Sequence, residues 1–477
     1  MNVAELLKRS EGKTLEFKRD LSSPQNILKT MIAFANTAGG VILIGVDDET
    51  HDPTDVGNPL DEEERLCNLI ADSIMPRLVP NVELATVEGK TLLLIEVFLS
   101  SSRPHWLKTE GPERGVYVRL GSTNRQADRE LIAELRRSVE GVSFDELPMA
   151  EVSADDLDLT ALKDLFRDKQ EPGMNDLLTL RLLTRDQGRL VPTKGAVILF
   201  GEKRLEHFPD AWVQCGRFIG RDKARIFDHI DLHDTLPQMV DGIMLFLKKH
   251  AMRGADFSEV RRKDVWSIPL GILREAVINA LVHADYSQRG APIRVSFFDD
   301  RIEVENPGIL LPGMTIEDMK HGVSKIRNPV IARVFRELNL IEQWGSGVPR
   351  MFKEAEEMGL PPLEIVEIGM RVRFTVPLAK SIAVSRATQE STVQSRAQSR
   401  AQSASVLMAL SDTALSASEI ASILGLETKT GALKRAIKHL LTQELIEYTI
   451  PEKPNSRLQK YRLTKKGRQV LKDGETK

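Results

Sequence analysis

The sequence predicts a multidomain protein of the α+β class. Its 477 residues exceed what one hydrophobic core usually organises, since domains commonly hold about 100–200 residues. Strand-like runs and amphipathic helical runs follow one another through most of the chain, and one polar stretch interrupts them near the C-terminal end. These observations predict five regions, with boundaries at 1–140, 141–270, 271–378, 379–404 and 405–477.

Composition and charge exclude several classes of protein. The formal net charge of −3 means that the chain as a whole is no polycation, so a nucleic-acid surface must be local. The two cysteines, Cys67 and Cys215, are far apart, which argues against a disulfide framework or a cysteine-bound metal. Because no apolar run approaches the roughly 18 residues that a membrane span needs, we expect a cytoplasmic protein with no membrane partner.

The first region, 1–140, is predicted to be an α/β domain. A strand ends at Lys18, and a helix over 24–38 follows it, with proline in its first turn and two glycines at its end. Gly40–Val46 is a continuous apolar run of strand length, which is typical of a central strand. Further strands are predicted at 82–87, 92–98 and 115–120, and further helices at 62–74 and 128–139.

Three segments of this region are EGKTLEFKRD, AFANTAGGVILIGVDDE and GVYVRLGSTNRQA. In this order they resemble the Schlafen AlbA-like domain over essentially all of the region. The resemblance implies nucleic-acid binding, for which basic and amide side chains at strand ends would contact phosphates. These candidates are Lys18, Arg19, Arg119, Asn124 and Arg125. The alternative interpretation is that they are solvated charges on loops and strand ends.

Three carboxylates in the same region suggest a nuclease as an alternative. Glu11, Glu16 and Asp47 could meet near one strand edge and hold a divalent metal for phosphodiester hydrolysis. The spacing of Glu11 and Glu16 is similar to that of Schlafen relatives that cleave transfer RNA. In the other interpretation, Glu11 caps a loop and Glu16 pairs with Lys18 or Arg19 at a strand surface.

The second region, 141–270, is predicted to be a small α/β unit without chemistry of its own. Ala196–Gly201 has the pattern of a buried strand, and Trp212–Phe218 is its predicted partner. A long amphipathic helix is predicted over 231–250.

The third region, 271–378, is predicted to bind a nucleotide. In the helical run that starts at Leu273, apolar side chains form a core-facing stripe, while Glu275 and Asn279 lie one turn apart on another face. A carboxylate and a carboxamide in this arrangement can hold hydrated Mg²⁺ and orient a water molecule beside phosphates. An ordinary amphipathic helix with a solvated polar face is the other interpretation.

Turn and glycine motifs downstream strengthen the nucleotide interpretation. A hairpin is predicted from strands at 293–298 and 302–305, and its second strand runs into the turn sequence Glu305–Gly308. Residues 309–328 are rich in glycine and proline and long enough to form a lid. Gly345–Gly347 stands directly before a helical run, where glycines let backbone N–H groups approach a phosphate.

The order of these motifs resembles the boxes of the GHKL ATPase fold of gyrases and histidine kinases. A closer resemblance is to the divergent ATPase module of RecG-like and Schlafen-AlbA regulators. It is carried by the segments NALVHADYSQRG, DRIEVENPG, KIRNPVIARVF and IEQWGSGVPRM. We therefore expect a GHKL-like α/β sandwich. The resemblance implies ATP and Mg²⁺ as ligands, with Asn279 on Mg²⁺ and Glu275 activating water. The usual Asp-x-Gly-x-Gly motif is Glu-Asn-Pro-Gly here. The remaining implied contacts are Glu305 and Gly308 at adenine, and Gly345 and Gly347 at the phosphates.

The C-terminal part of the chain is predicted to be a linker and a winged helix. Region 379–404, with its near-repeat SRAQSRAQSA, has too little apolar surface to fold and is predicted to be a flexible basic linker. In region 405–477, helices are predicted at 406–410, 416–424 and 429–441, and strands at 445–450 and 460–463. NSRLQKYRLTKKGRQVL resembles the wing and last helix of winged-helix regulators, although a winged helix can also contact protein. The predicted DNA contacts are Lys434, Arg435, Lys438 and Arg457.

Three functions remain open from the sequence. The first is a DNA-binding transcriptional regulator whose ATP-binding module senses or responds to nucleotide, with ATP hydrolysis left open. The second is a Schlafen-like, metal-dependent RNA or DNA endonuclease gated by ATP. The third is a RecG-like helicase-associated protein, against which the absence of a Gly-x-x-x-x-Gly-Lys-Ser/Thr motif argues. The expected partners are DNA or RNA and a nucleotide, and a homodimer would suit a palindromic DNA site.

Overall fold

The computed structural model describes two compact units, Met1–Ile382 and Ala383–Lys477. The described residues are 2–166, 173–251, 253–256, 263–341, 347–379, 405–411, 413–424, 433, 436–437, 440–441, 443, 445–450 and 459–474. The predicted linker, 379–404, therefore lies almost entirely outside them. Within these ranges every helix is too short or too polar to cross a lipid bilayer.

The N-terminal part of the first unit is organised by a mixed sheet in the order β1-β2-β5-β4. β1 and β2 are parallel, and the other neighbours are antiparallel, so β2 is a central strand as the apolar run 40–46 predicts. Alternate residues of these strands point to opposite faces, and a separate apolar core covers each face. The elements are α1 Val3–Leu6, β1 Leu15–Lys18, α2 Pro24–Asn36, β2 Gly40–Ile44, α3 Pro59–Ser73, β3 Ile74–Met75, β4 Asn81–Val87, β5 Lys90–Val97, β6 Trp106–Leu107, α4 Gly111–Arg114, β7 Tyr117–Leu120, β8 Thr123–Gln126 and α5 Arg129–Glu140.

The rest of the first unit is built on a second sheet, in which six described strands have the order β12-β11-β15-β16-β18-β17. α10 and α11 pack on one face of this sheet, and α14 packs on α11. The sheet contains strands from both sides of the boundary expected at residue 270, and one apolar core extends from Met149 to Leu378. The elements are α6 Leu159–Leu165, α7 Met174–Thr179, β9 Leu183–Asp186, β10 Arg189–Pro192, α8 Lys194–Phe200, α9 Arg204–His207, β11 Val213–Phe218, β12 Ile226–Leu232, α10 Leu236–His250, β13 Arg253–Asp256, β14 Lys263–Trp266, α11 Leu270–His283, β15 Ile293–Phe297, β16 Arg301–Pro307, α12 Ile316–Lys320, α13 Pro329–Glu337, α14 Gly347–Glu357, β17 Glu364–Ile368 and β18 Arg371–Pro377.

The prediction of a buried strand at 196–201 is wrong, because this segment is the helix α8. The side chain of Thr193 accepts a hydrogen bond from the Ala196 N–H and caps the helix. All side chains of the helix from Gly195 onwards are buried, so the apolar run has no polar face and its periodicity cannot distinguish helix from strand. The strand Val213–Phe218 pairs instead with β12 and β15.

The second unit has a small core of its own. Residues 405–409 and Ala417–Ile423 are helical, and Ser416 caps the second of these helices together with Glu419. Strands Ile446–Tyr448 and Tyr461–Leu463 form an antiparallel pair, and helix Lys465–Gly474 follows them. In the segment predicted as the third helix, the described residues are helical, and Leu433, Ile437 and Leu440 belong to this core. The winged-helix assignment remains a prediction.

Candidate nucleotide and nucleic-acid sites

A cavity of about 330 Å³ lies between α11, β16, α14 and the segment 309–328. Its volume falls within the range of about 300–1,000 Å³ that is usual for small-molecule sites. Glu275, Asn279 and Gly347, which are separated by up to about seventy residues of sequence, all line it. These three predicted residues therefore lie around one cavity.

Glu275 and Asn279 lie one turn apart on α11, as the spacing predicts. Asn279 Nδ2 donates to Glu275 Oε1 over 3.3 Å, and Arg350 of α14 lies 3.4 Å from the other carboxylate oxygen. The Glu275 side chain is 18% exposed, so the carboxylate is accessible from the cavity. These two side chains offer carboxylate and carboxamide oxygens, which are ligands that Mg²⁺ accepts beside phosphates and water.

Gly347 begins α14 at the wall of the cavity nearest Glu275. A Cβ atom at this position would collide with Oε1 of Glu275 and lie 2.8 Å from its Cδ. Glycine leaves room here for the carboxylate in its present position, at the N-terminal end of a helix, where backbone N–H groups favour anions. Gly345 lies outside the described residues.

The segment predicted as a lid forms part of the cavity wall. Ten residues between Ile309 and Arg327 line it, and α12 lies within this segment. Gly308 is not among the lining residues. Its φ of 100° turns the chain from β16 into the lid, and a Cβ there would lie 2.9 Å from Cβ of Asp285. Gly308 therefore shapes the entry to the lid, and its expected contact with adenine stays a prediction.

Glu305 does not line the cavity, which corrects its expected role at adenine. Ile302 and Val304 of β16 point into the core, so alternation turns Glu305 to the opposite face of the sheet. There its carboxylate accepts a hydrogen bond from Arg373 Nε over 2.7 Å and lies 3.7 Å from Lys223 Nζ. Asn306 lines the cavity instead. The apolar alternation of this strand was the signal in the sequence that could have identified Asn306.

Other cavity residues were also missed by sequence reasoning. Lys325 and Arg327 of the lid, Arg336 of α13 and Arg350 of α14 bring positive charge to the lining, which is otherwise largely apolar. Basic residues are frequent on helices and loops, so no local pattern singles these four out. His283, at the end of α11, also lines the cavity. Burial, assisted by the charge of Arg327, lowers the pKa of His283 to about 4, so this ring is neutral at physiological pH.

In the N-terminal domain, Glu16 and three of the predicted nucleic-acid contacts form one polar network. Its carboxylate pairs with Lys18 over 2.6 Å and with Arg119, whose guanidinium also donates to Asn124 Oδ1 over 3.0 Å. Arg119 is only 1% exposed, so it supports the surface and does not itself reach a phosphate. Arg19 and Arg125 are exposed, and Lys18 is half-buried. The accessible cations are thus Lys18, Arg19 and Arg125.

The three carboxylates of the nuclease alternative do not converge on a metal site. Glu11 accepts a hydrogen bond from the Phe17 N–H over 2.8 Å, and Glu16 is held by the two cations. The carboxylate of Asp47 accepts hydrogen bonds from the N–H groups of Thr50 and Glu49 in a tight turn. These hydrogen bonds lower the pKa of the Asp47 carboxyl group. Among the described residues no group of three or more acidic, histidine or cysteine side chains has a geometry suited to a metal ion. Local hydrogen bonding by Glu11 and ion pairing by Glu16 therefore correspond to the second interpretation of these residues.

The predicted DNA contacts of the C-terminal unit, Lys434, Arg435, Lys438 and Arg457, lie outside the described residues. In the part of this unit that is described, Lys460 and Arg462 of the hairpin pair with Glu419 and Glu447.

Three family models match parts of the chain. Residues 11–128 match the family described as "Schlafen, AlbA_2", and residues 290–376 match "Putative ATP-dependent DNA helicase recG C-terminal". The second match begins after α11, so Glu275 and Asn279 lie just outside it. Residues 401–464 match "Filamentation induced by cAMP protein Fic-like, C-terminal domain". No curated protein matches the chain.

Solved structures give matches of low structural similarity. The DIP2311 protein of Corynebacterium diphtheriae has 19% identity over 98% of this chain and 97% of its own, with a TM-score of 0.42. The N-terminal domain of a "Putative ATP-dependent DNA Helicase RecG-related Protein" from Nitrosomonas europaea has 29% identity over 27% of this chain and 94% of its own, with a TM-score of 0.23. The domain assignment therefore rests on the family matches. The chain contains a Schlafen AlbA_2 domain followed by an ATPase-like domain of the recG C-terminal family.

Proposed function

We propose that this chain is a DNA-binding transcriptional regulator whose lidded cavity binds Mg²⁺-ATP. One observation carries the nucleotide part of the proposal: Glu275, Asn279 and Gly347 meet in one cavity beneath the lid 309–328. The two family matches, to Schlafen AlbA_2 and to the recG C-terminal domain, suggest a protein that binds DNA and uses ATP. The regulatory role is our extension of that combination.

Several polar residues of the cavity have separate roles in this proposal. Asn279 would hold Mg²⁺ through its carboxamide oxygen, and the ion would neutralise phosphate charge when bound. The N-terminal end of α14 at Gly347 would receive the phosphates, with Lys325 and Arg350 adding positive charge. Glu275 would orient a water molecule toward them. Asn306, in place of Glu305, would present its amide to the base.

DNA would be held by two surfaces. In the N-terminal domain, the accessible cations Lys18, Arg19 and Arg125 would contact phosphates. In the C-terminal unit, the third helix and the wing that the sequence predicts would read the DNA sequence, and a homodimer would match a two-fold symmetric site. The hydrogen-bond and ion-pair partners of Glu11 and Glu16 give the endonuclease alternative no support. The sequence has no phosphate-binding loop motif of the translocating motors, which argues against the helicase alternative.

Selection of bound sequences from random DNA, with the full chain and with a chain lacking residues 405–477, tests this proposal. We expect the full chain to enrich one sequence family and to bind Mg²⁺-ATP. The truncated chain should lose the sequence preference and keep its ATP affinity. A truncated chain that keeps the preference would show that the tail is not the reader. Failure of both chains to bind ATP would remove the nucleotide part.

A further inference from the structure

The first residues of the lid contact both the candidate nucleotide cavity and the N-terminal domain. Ile309 lines the cavity, yet it is 5% exposed and belongs to an apolar cluster formed mainly by β7 and α5 of the N-terminal domain. Val116, Val118, Leu131 and Leu135 are members of this cluster. A ligand that moves or fixes Ile309 therefore acts on a side chain packed within the other domain.

Polar contacts attach the same segment at three further points. The Gly313 N–H donates to the Thr37 carbonyl over 2.6 Å. The Leu310 N–H donates to Glu367 over 2.7 Å, and Glu367 pairs with Lys13 of the N-terminal domain over 2.6 Å.

The third point is a buried ion pair at the other end of the lid. Arg327 lines the nucleotide cavity, donates to the Ile309 carbonyl and pairs with Glu134 of α5. The side chains of Arg327 and Glu134 are 6% and 10% exposed. Removing one partner of such a pair leaves a buried charge without compensation, so a substitution at either residue would disturb the contact between the lid and α5.

The attachment continues into the polar network of the N-terminal domain. Thr37, whose carbonyl receives the Gly313 N–H, accepts the Arg119 N–H on its side-chain oxygen over 3.0 Å. The Arg119 guanidinium donates to the Gly12 carbonyl, next to Lys13, and pairs with Glu16 beside Lys18. The accessible cations lie on or next to strands β1 and β8. Both strands contact Arg119, which is hydrogen-bonded to Thr37, a residue that contacts the lid.

We propose that the lid couples the two sites, so that nucleotide bound in the cavity tightens nucleic-acid binding by the N-terminal domain. A bound nucleotide fixes residues 309–328 in the arrangement that supports Thr37 and Arg119, and the domain then loses less freedom when nucleic acid binds. The inference rests on the proposed nucleotide site. Linkage requires the effect to be reciprocal, with nucleic acid tightening nucleotide binding by the same factor.

The test uses the full chain, a non-hydrolysable ATP analogue with Mg²⁺, and a fluorescent DNA duplex of mixed sequence. The dissociation constant of each ligand is measured alone and in the presence of the other at saturation. We expect each ligand to tighten the other by about five-fold or more, with equal factors in the two directions. In Glu134→Gln the factor should fall below about two-fold, because the charge that holds Arg327 is removed. The exposed Glu140→Gln on the same helix is the matched control and should keep the wild-type factor.

Each outcome separates the two claims. If the wild-type chain binds both ligands and neither affects the other, the coupling is wrong while the nucleotide site stands. If the analogue does not bind at all, both claims fall. Lys13→Met, which breaks the second ion pair, serves where Glu134→Gln does not fold, as judged by its thermal unfolding. Full coupling retained in Glu134→Gln, or in Lys13→Met where it replaces that variant, would contradict the lid as the route.

Discussion

Replacing Gly347 with alanine tests the geometry of the cavity at its tightest point. The new methyl group would overlap Glu275 Oε1, so the carboxylate must swing away and the 3.3 Å hydrogen bond from Asn279 must break. The displaced carboxylate and the added methyl group would hinder a phosphate at the helix N-terminus, an interaction that contributes up to about 1 kcal/mol. We therefore expect Mg²⁺-ATP to bind roughly five-fold more weakly, which corresponds to about 1 kcal/mol.

Isothermal titration of the full chain with Mg²⁺-ATP measures this loss. The fold should be retained, because the colliding atom is the end of a flexible side chain. Gly57→Ala is the matched control, since a Cβ there meets nothing within 4 Å. An unchanged ATP affinity in Gly347→Ala, with Gly57→Ala also unchanged, would refute the placement of phosphate beside α14.

Three further predictions concern the rest of the first unit. Arg119→Met leaves the buried carboxylate of Glu16 with one cation fewer, so it should destabilise the N-terminal domain by about 3 kcal/mol, as measured by urea unfolding. A loss of stability below about 1 kcal/mol would contradict a supporting role for Arg119. Arg125→Ala should leave stability unchanged and lower the slope of log affinity for DNA against log salt by about 0.9, and an unchanged slope would exclude a phosphate contact. Burial raises the pKa of Asp145 to about 7, so the folded state favours its protonated form, and its contribution to stability is lost as pH rises from about 4 to about 7. Relative to Asp145→Asn, the wild-type chain should lose at most about 4 kcal/mol of stability over that window, and parallel pH profiles in urea unfolding would contradict this.

The sequence predicts most of the first domain because its patterns are local. The proline at the start of α2 and the glycines after it delimit that helix, and the apolar run 40–46 identifies a strand that is buried on both faces. The same holds for the hairpin of β15 and β16 and for the helix spacing of Glu275 and Asn279. In each case a short-range rule is sufficient, because no distant contact is needed to decide the structure.

The failures have physical causes that depend on tertiary packing or strand direction. α8 is surrounded by core on every side, so its sequence lacks the polar face by which a helix is recognised. Glu305 was assigned from the turn sequence, whereas the alternation of Ile302 and Val304 decides the face on which it lies. The boundary expected at residue 270 divides strands that share one sheet, because pairing between β11 and β15 leaves no short-range signal.

Contacts between the lid and the N-terminal domain could not be foreseen for the same reason. Glu134 and Arg327 are separated by 193 positions, and each in isolation has the pattern of a surface charge on a helix or loop. Only the structure identifies the ion pair as buried, and with it the contact between the lid and α5.

Titration of the full chain with Mg²⁺-ATP, with Asn279→Ala beside it, tests the central claim most directly. If the cavity under the lid is the nucleotide site, the wild-type chain binds Mg²⁺-ATP, and the variant loses at least about ten-fold in affinity, or roughly 1.4 kcal/mol. The loss should be much smaller for ATP measured in EDTA, because Asn279 acts through the metal ion. Equal Mg²⁺-ATP affinities in the two proteins would contradict the account.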